Sequence, residues 1–196
     1  MKKGLFIIIA WVSWSWKNTT LDLLTQRNPQ YKEIVSYTSR PMRVTEKQWV
    51  NYNYISLEQF QQWIALWYFL EYAKNHNTNY YGTKSSDLDL YINQWYIVFK
   101  EMSVQWIEQI IRNYKELSER TFSIFLDLSD ETMVRRITSR APTPAEEVER
   151  RITSAKSERI LAKQYCNKII SAEWTIEEVY DEVLQLVNEF INQNND

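Results

Sequence analysis

The chain has 196 residues, a formal net charge of −2 and a single cysteine, Cys166. This length allows one domain with a sizeable hydrophobic core, and the near-zero charge excludes a general attraction to nucleic acid or to an anionic membrane. One cysteine excludes an internal disulfide framework. Because no apolar run approaches the roughly 20 residues of a membrane span, we expect a cytoplasmic protein whose partners are small molecules.

The first predicted elements are a buried strand at residues 5–10 and a helix at residues 18–28. The segment between them has the spacing of a phosphate-binding loop, G-x-x-x-x-G-K-[ST], with Lys17 at the lysine position. The backbone N–H groups of such a loop and the N-terminus of the following helix attract anions. The alternative interpretation is a buried strand followed by an aromatic turn that binds nothing.

Four residues depart from the loop pattern. Trp11 and Trp16 stand at its two glycine positions, and Trp14 stands at a third position that is glycine in many such loops. Asn18 replaces the usual Ser or Thr. Glycine is needed in these loops because the backbone adopts positive φ and approaches the phosphates closely. An indole side chain satisfies neither requirement.

The composition of the whole chain shows the same exchange of tryptophan for glycine. The chain has 2 glycines and 9 tryptophans, whereas an average glycine usage of about 7% gives roughly 14 glycines. Most of the tryptophans lie in polar segments that lack the large apolar surface an indole ring contacts. We hypothesise that many of them are glycines in the organism, encoded by UGA codons that some genetic codes read as glycine.

The next segment, residues 36–83, is rich in tyrosine and in short strands. Strands are predicted at residues 33–37, 50–56, 68–74 and 79–83, and a helix at residues 57–66. Pro41 keeps Arg40 extended, so Arg40 and Arg43 can reach one anion. We interpret this insertion as a nucleotide-base pocket. The alternatives are a half-exposed sheet and two solvated arginines.

The remainder of the chain alternates strands and helices. Strands are predicted at residues 96–102, 121–128 and 167–171, and helices at residues 83–93, 104–114, 130–140, 145–164 and 175–192. This alternation predicts an α/β fold with a mainly parallel central sheet flanked by helices. Five arginines in residues 130–151 either close over phosphates or form a solvated basic surface: Arg135, Arg136, Arg140, Arg150 and Arg151.

Several ordered motifs, read with glycine in place of tryptophan, make the chain resemble the guanylate kinases over nearly its whole length. The loop then reads G-V-S-G-S-G-K-N-T, and residues 35–43 resemble the family's V-S-x-T-T-R-x-P-R segment. Four further segments resemble motifs of the family. They are residues 49–52 (G-x-D-Y), 69–71 (F-L-E), 79–83 (N-Y-Y-G-[ST]) and 101–106 (E-I-D-x-Q-G). Seven tryptophans fall on glycines of the family: Trp11, Trp14, Trp16, Trp49, Trp67, Trp95 and Trp106.

The resemblance implies a P-loop kinase built from three parts. These are a core (residues 1–35, 84–129 and 152–196), a strand-rich GMP-binding subdomain (residues 36–83) and a helical lid (residues 130–151). It also implies transfer of the γ-phosphoryl group of ATP to GMP with Mg²⁺, by a monomer or a homodimer.

The resemblance further assigns roles to individual residues. It implies ATP binding by Trp11, Ser13, Trp14, Ser15, Trp16, Lys17, Asn18, Thr19, Arg136 and Arg140. It implies GMP binding by Ser36, Arg40, Arg43, Tyr52, Glu71, Tyr81, Thr83 and Ser103. It assigns catalysis to Lys17, Arg40, Arg136 and Arg151, and metal binding to Asn18 and Glu101.

Two departures from the family bear on the metal. Asn18 replaces the hydroxyl residue that holds Mg²⁺, and Ser103 replaces an aspartate. Glu101, two residues earlier on the same strand face, can take over that duty. The competing interpretation is a catalytically inactive, guanylate-kinase-like interaction module. Such modules lack the loop lysine or the GMP arginines, and this chain has both.

Overall fold

A computed structural model describes residues 4–12, 15, 17–75, 79–140 and 142–195. The strands in these ranges are β1 (Leu5–Trp11), β2 (Tyr31–Glu33), β3 (Tyr37–Thr38), β4 (Asn53–Tyr54), β5 (Phe69–Asn75), β6 (Asn79–Lys84), β7 (Ile97–Glu101), β8 (Thr121–Asp127) and β9 (Lys168–Ser171). The helices are α1 (Lys17–Arg27), α2 (Leu57–Ala65), α3 (Ser85–Ile92), α4 (Val104–Asn113), α5 (Lys115–Ser118), α6 (Asp130–Arg140), α7 (Ala145–Tyr165) and α8 (Ile176–Asn195). Within the described residues, no helix combines the length and the apolar character needed to cross a membrane.

A five-stranded parallel sheet forms the centre of the fold, in the order β2-β7-β1-β8-β9. β1 lies in the middle, and residues 5–10 are almost completely buried. Such a continuous apolar strand is typical of a parallel sheet that is covered on both faces. The predicted α/β fold with a mainly parallel central sheet is confirmed.

A second, four-stranded sheet lies in the predicted insertion, in the order β4-β3-β6-β5. β6 pairs antiparallel with both β3 and β5, while β3 and β4 are parallel. The sheet and α2 bury a small core of their own, formed by Tyr37, Phe60 and Phe69. The structure thus has several short strands in residues 36–83, and the last of them, β6, extends to Lys84.

Two strand predictions in this region are wrong in their extent. The predicted strand at residues 33–37 is divided, because β2 ends at Glu33 and β3 begins at Tyr37. Residues 34–36 cross from one sheet to the other: Ile34 N–H donates to Phe99 of the central sheet, while Ser36 C=O accepts from Asn53 N–H of the second sheet. The predicted strand at residues 50–56 shrinks to β4, because a turn occupies the preceding residues.

Three tryptophans have a backbone conformation that bulky residues rarely adopt. Among the described residues, positive φ occurs only at Trp49 (66°), Trp67 (58°) and Trp95 (64°). All three are exposed, by 64%, 90% and 68%. Burial of the indole rings therefore does not explain the left-handed backbone at these positions.

Trp67 occupies a position in a helix C-terminal motif that is usually glycine. After α2, Trp67 N–H donates to Ile64 C=O and Tyr68 N–H donates to Trp63 C=O, both at 3.0 Å. These two bonds define the Schellman motif, whose left-handed residue is most often glycine. The same pair of bonds follows α3, with Trp95 as the left-handed residue.

Candidate nucleotide-binding site

A pocket of about 400 Å³ lies where the carboxyl ends of β1 and β7 face the second sheet. This edge of a parallel sheet is the usual position of ligands in α/β folds. The pocket is lined by seven predicted site residues: Trp11, Ser36, Tyr52, Glu71, Tyr81, Glu101 and Ser103. Ala73, Met102 and Trp106 complete the lining.

Glu71 is a nearly buried carboxylate on β5 in the wall of this pocket. Thr83 Oγ1 on β6 donates a hydrogen bond of 2.6 Å to Glu71 Oε1. The two strands approach closely at Gly82, where a Cβ atom would lie 2.8 Å from the backbone oxygen of Glu71. Burial raises the pKa of Glu71, and the bond from Thr83 and the positive charge of Lys100 oppose that rise. Glu71 is thus a well-supported hydrogen-bond acceptor.

Lys100 is a buried ammonium on β7. Its Nζ donates to the backbone oxygen of Ile34 at 2.8 Å and to Ser36 Oγ at 2.5 Å. These bonds fix the segment that crosses between the two sheets. Lys100 is not among the site residues predicted from the sequence. The available signal is a lysine directly after the apolar residues 97–99 of β7, where a solvated side chain is not expected.

Arg40 lies beside the pocket, between Tyr81 and Glu46. Its Nε donates to the Tyr81 hydroxyl at 3.2 Å, and its two Nη atoms bind both oxygens of Glu46 at 3.0 and 2.8 Å. The Arg40 guanidinium holds the pKa of Glu46 at about 2. Arg43 N–H donates to the same carboxylate at 2.8 Å, and the Arg43 residue is exposed. Glu46 was also missed, because an acidic residue in a polar loop is not distinctive.

Tyr52 connects Arg40 with the pocket. Its ring lies edge-on to Tyr81, with centroids 5.6 Å apart, and the Arg40 guanidinium carbon is 5.6 Å from the Tyr52 ring centroid. Burial raises the pKa of Tyr52, so its hydroxyl remains a donor at neutral pH. A guanidinium that binds one phenol hydroxyl and lies near a second phenol ring is suited to a phosphate group.

The end of β1, the loop after it and the start of α1 contain most of the residues predicted to bind ATP. Trp11 is half-buried, and Ser15 is buried with no hydrogen-bond partner for its hydroxyl within the described residues. Thr19 is exposed on α1. The predictions that lie outside the described residues concern Ser13, Trp14 and Trp16, together with the side chains of Lys17 and Asn18.

Two of the predicted lid arginines, Arg136 on α6 and Arg151 on α7, are not among the described residues that line the pocket. Arg136 donates to the backbone oxygen of Glu173 at 3.4 Å, and burial lowers the pKa of Arg136. Arg151 Nε donates to Glu147 Oε1 at 2.7 Å on the same helix. Arg140 ends α6, and its side chain lies outside the described part of the structure.

Comparison with known proteins decides the family. The family model described as "Guanylate kinase" matches residues 5–190. The chain belongs to the guanylate kinase family. Guanylate kinase from Bacteroides thetaiotaomicron is 31% identical over 191 residues, covering 97% of this chain and 91% of that protein. Guanylate kinase from Vibrio parahaemolyticus is 34% identical over 161 residues, covering 81% and 75%.

A solved structure agrees with the fold of this guanylate kinase family member. Guanylate kinase from Anaplasma phagocytophilum matches with a TM-score of 0.72, at 20% sequence identity. The match covers 96% of this chain and 87% of that chain. At this identity the similarity concerns the fold, and it includes both sheets because nearly the whole chain is covered.

The pocket of this guanylate kinase family member is compatible with Mg²⁺. Among the described residues, no three or more His, Cys, Asp or Glu side chains are grouped to hold a metal by themselves. Mg²⁺ does not require such a group, because it keeps several waters and binds one or two carboxylates plus substrate phosphates. Glu101, at the end of β7, places one carboxylate residue in the pocket lining and so fits this requirement.

Proposed function

We propose that this guanylate kinase family member transfers the γ-phosphoryl group of ATP to GMP, giving ADP and GDP. The observation that carries the proposal is a pocket lined by Glu71 and by Tyr81, whose hydroxyl accepts a hydrogen bond from Arg40. A carboxylate accepts hydrogen bonds from the N1–H and the exocyclic amine of guanine. Arg40 suits the phosphate, so the site has partners for both ends of GMP.

The GMP-binding residues divide into two groups. Arg40, Arg43, Tyr52 and Tyr81 hold the phosphate in this proposal. Glu71 binds the base, and Ser36, Thr83 and Ser103 bind the base or its surroundings. The two groups are supported by different contacts, since Thr83 donates to Glu71 whereas Glu46 orients Arg40.

The phosphates of ATP are bound by the loop after β1. We propose that loop residues 11–19 cradle them with backbone N–H groups and that Lys17 follows the charge onto the transferring group. Arg136, Arg140 and Arg151 close over the phosphates and stabilise the developing charge. Closure excludes water, so transfer competes successfully with hydrolysis. When bound, Mg²⁺ neutralises phosphate charge, and Asn18 and Glu101 are the residues proposed to hold it.

We propose that the three parts of the chain have separate duties. Residues 36–83 bind GMP, residues 130–151 form the lid, and the remaining residues 1–35, 84–129 and 152–196 form the core. The separate small core of the second sheet supports the first of these assignments. ATP and GMP are cytoplasmic metabolites, which supports a cytoplasmic location.

We also propose that seven tryptophans are glycine in the protein that the organism makes: Trp11, Trp14, Trp16, Trp49, Trp67, Trp95 and Trp106. A left-handed conformation costs a non-glycine residue roughly 1–2 kcal/mol, and glycine adopts it without steric cost. The positive φ of Trp49, Trp67 and Trp95 supports glycine there. Trp11 and Trp106 line the pocket, where glycine leaves more room for substrate.

One assay tests both proposals. The tryptophan chain, with the sequence as it stands, is compared with the glycine chain, which carries Trp→Gly at those seven positions. GDP formation is followed with ATP and GMP as substrates. We expect GDP from the glycine chain and a rate at least about a hundredfold lower from the tryptophan chain, because misplaced reacting groups cost about that factor.

The two proposals fail in different ways. A folded glycine chain that forms no GDP contradicts the proposed activity and favours an inactive module. Equal rates from the two chains contradict the glycine proposal and leave the activity intact. Circular dichroism of both chains establishes that each is folded.

A further inference from the structure

Lys100 has an unusual position for a charged residue. It lies on a central strand with 2% exposure, where a charge is costly unless it is paired and hydrogen-bonded. An ammonium has three donors and no acceptor. Two of these donors bind Ile34 C=O and Ser36 Oγ, at 2.8 and 2.5 Å. The second bond connects Lys100 to the lining of the nucleotide pocket.

The bond from Lys100 restricts what the Ser36 hydroxyl can offer to a ligand. A serine hydroxyl has one donor hydrogen and two acceptor lone pairs. Because the ammonium donates to Ser36 Oγ, one lone pair is occupied and the hydroxyl hydrogen must point away from Lys100. Ser36 therefore remains a donor, while Glu71 in the same lining is an acceptor.

The donor Ser36 and the acceptor Glu71 together are complementary to guanine and not to adenine. Guanine presents an acceptor at O6 beside the donor N1–H, whereas adenine presents the donor N6–H₂ beside the acceptor N1. We propose that Lys100 is a specificity-positioning residue that occupies one acceptor site of Ser36, directs the hydroxyl hydrogen away from the ammonium and thereby favours GMP over AMP. This inference rests on the proposed function.

The charge of Lys100 also favours guanine through its effect on Glu71. Burial disfavours an ionised carboxylate, and the nearby positive charge of Lys100 favours it. One side chain therefore supports both members of the pair that reads the base: the donor Ser36 through a hydrogen bond, and the acceptor Glu71 through its field.

The test uses the glycine chain and the variant Lys100→Met, which removes the ammonium and keeps an unbranched side chain. The ratio of kcat/KM for GMP to kcat/KM for AMP should fall about tenfold, the effect of one lost hydrogen bond. The loss should appear in KM for GMP, with KM for ATP unchanged. Lys100→Gln keeps N–H donors without the charge. Its ratio should lie between that of the parent glycine chain and that of Lys100→Met.

Two further variants make the result decisive. Lys32→Met, on β2 with its Nζ 5.1 Å from the Tyr96 ring centroid, should leave the ratio unchanged. A Lys100→Met variant with lower thermal stability and an unchanged ratio overturns the proposal, because that is the result of a purely structural role. If Lys100→Met does not fold, Ser36→Ala must lower the same ratio, and an unchanged ratio overturns the proposal. Absence of GDP from the parent glycine chain contradicts the proposed function instead.

Discussion

The pocket proposed to bind GMP and the loop proposed to bind the phosphates of ATP both follow β1 or β7 at one edge of the central sheet, but they depend on different parts of the chain. The pocket uses side chains, such as Glu71 and Arg40, that are held by Thr83 and Glu46. The loop depends on bare backbone, and there the sequence has indole rings. An exchange of glycine for tryptophan keeps the hydrogen-bonding side chains of the pocket, although Trp11 and Trp106 narrow it, and it removes the bare backbone of the loop. The side chains of the pocket can therefore be assessed from the sequence as it stands. The loop can be assessed only once the codons at its tryptophan positions are known to encode tryptophan or glycine.

The largest expected effect lies on the ATP side. Lys17→Ala in the glycine chain should lower kcat about 10²- to 10³-fold, because a group that stabilises the transition-state charge is lost. KM for GMP should stay the same if the two regions act separately. Steady-state kinetics with each substrate varied will measure both values. A rise in KM for GMP as large as the fall in kcat would show that the loop and the pocket do not act separately.

The next effect lies in the GMP pocket. Glu71→Gln should raise KM for GMP about tenfold to a hundredfold, since hydrogen bonds to a charged group contribute roughly 1.5–3 kcal/mol. KM for ATP should not change. An unchanged KM for GMP would remove Glu71 from base recognition.

The pH dependence of GMP binding sharpens this prediction. Burial raises the pKa of Glu71, while Thr83 and Lys100 oppose the rise and Glu101 adds to it. Because the ionised form accepts the guanine donors, GMP affinity should fall with decreasing pH, beginning above the ordinary glutamate pKa of about 4.3. Calorimetric titration at several pH values should show a steeper decline in the parent than in Glu71→Gln, in which only protonation of the GMP phosphate, with its second pKa of about 6, acts.

A smaller effect on stability tests the left-handed positions. Trp67→Gly in the tryptophan chain should raise the free energy of unfolding by about 1 kcal/mol, because it relieves the φ strain in the Schellman motif. Trp174→Gly is the matched control, since Trp174 is 57% exposed and its φ is not positive. Urea unfolding of both variants gives the comparison. Equal changes would show that φ strain is not the cause.

The smallest expected effect concerns the pair formed by Arg40 and Glu46. The pKa of Glu46 is lowered to about 2, so its stabilising contribution is present above the unfolded value of about 4.3 and is lost as pH falls from there towards 2. Glu46→Gln should therefore have a flatter stability profile in that window. Thermal unfolding at intervals from pH 5 to pH 2 checks this. Parallel profiles would contradict the pairing.

Much of the fold could be predicted because its central strands are apolar and uninterrupted. β1 and β8 were predicted to within a residue, since burial on both faces requires such runs. The divided strand at residues 33–37 was not predicted, because its division depends on partners in two sheets. α5 was also missed, as it has only four residues.

The site was predictable only where a motif or a resemblance marked it. Glu71 and Tyr81 belong to recognisable motifs, and both line the pocket. Lys100 and Glu46 were missed because their contributions depend on bonds formed in the folded chain. Lys100 reaches Ser36 across 64 residues of sequence, and no local pattern indicates such a contact.

The identity of the residues in the phosphate loop is the central claim, and the protein isolated from its own organism tests it most directly. Tryptic cleavage after Lys3 and Lys17 gives the peptide of residues 4–17, which contains Trp11, Trp14 and Trp16. Tandem mass spectrometry of this peptide should read glycine at all three positions. Tryptophan at these positions in a protein that forms GDP from ATP and GMP would contradict the account.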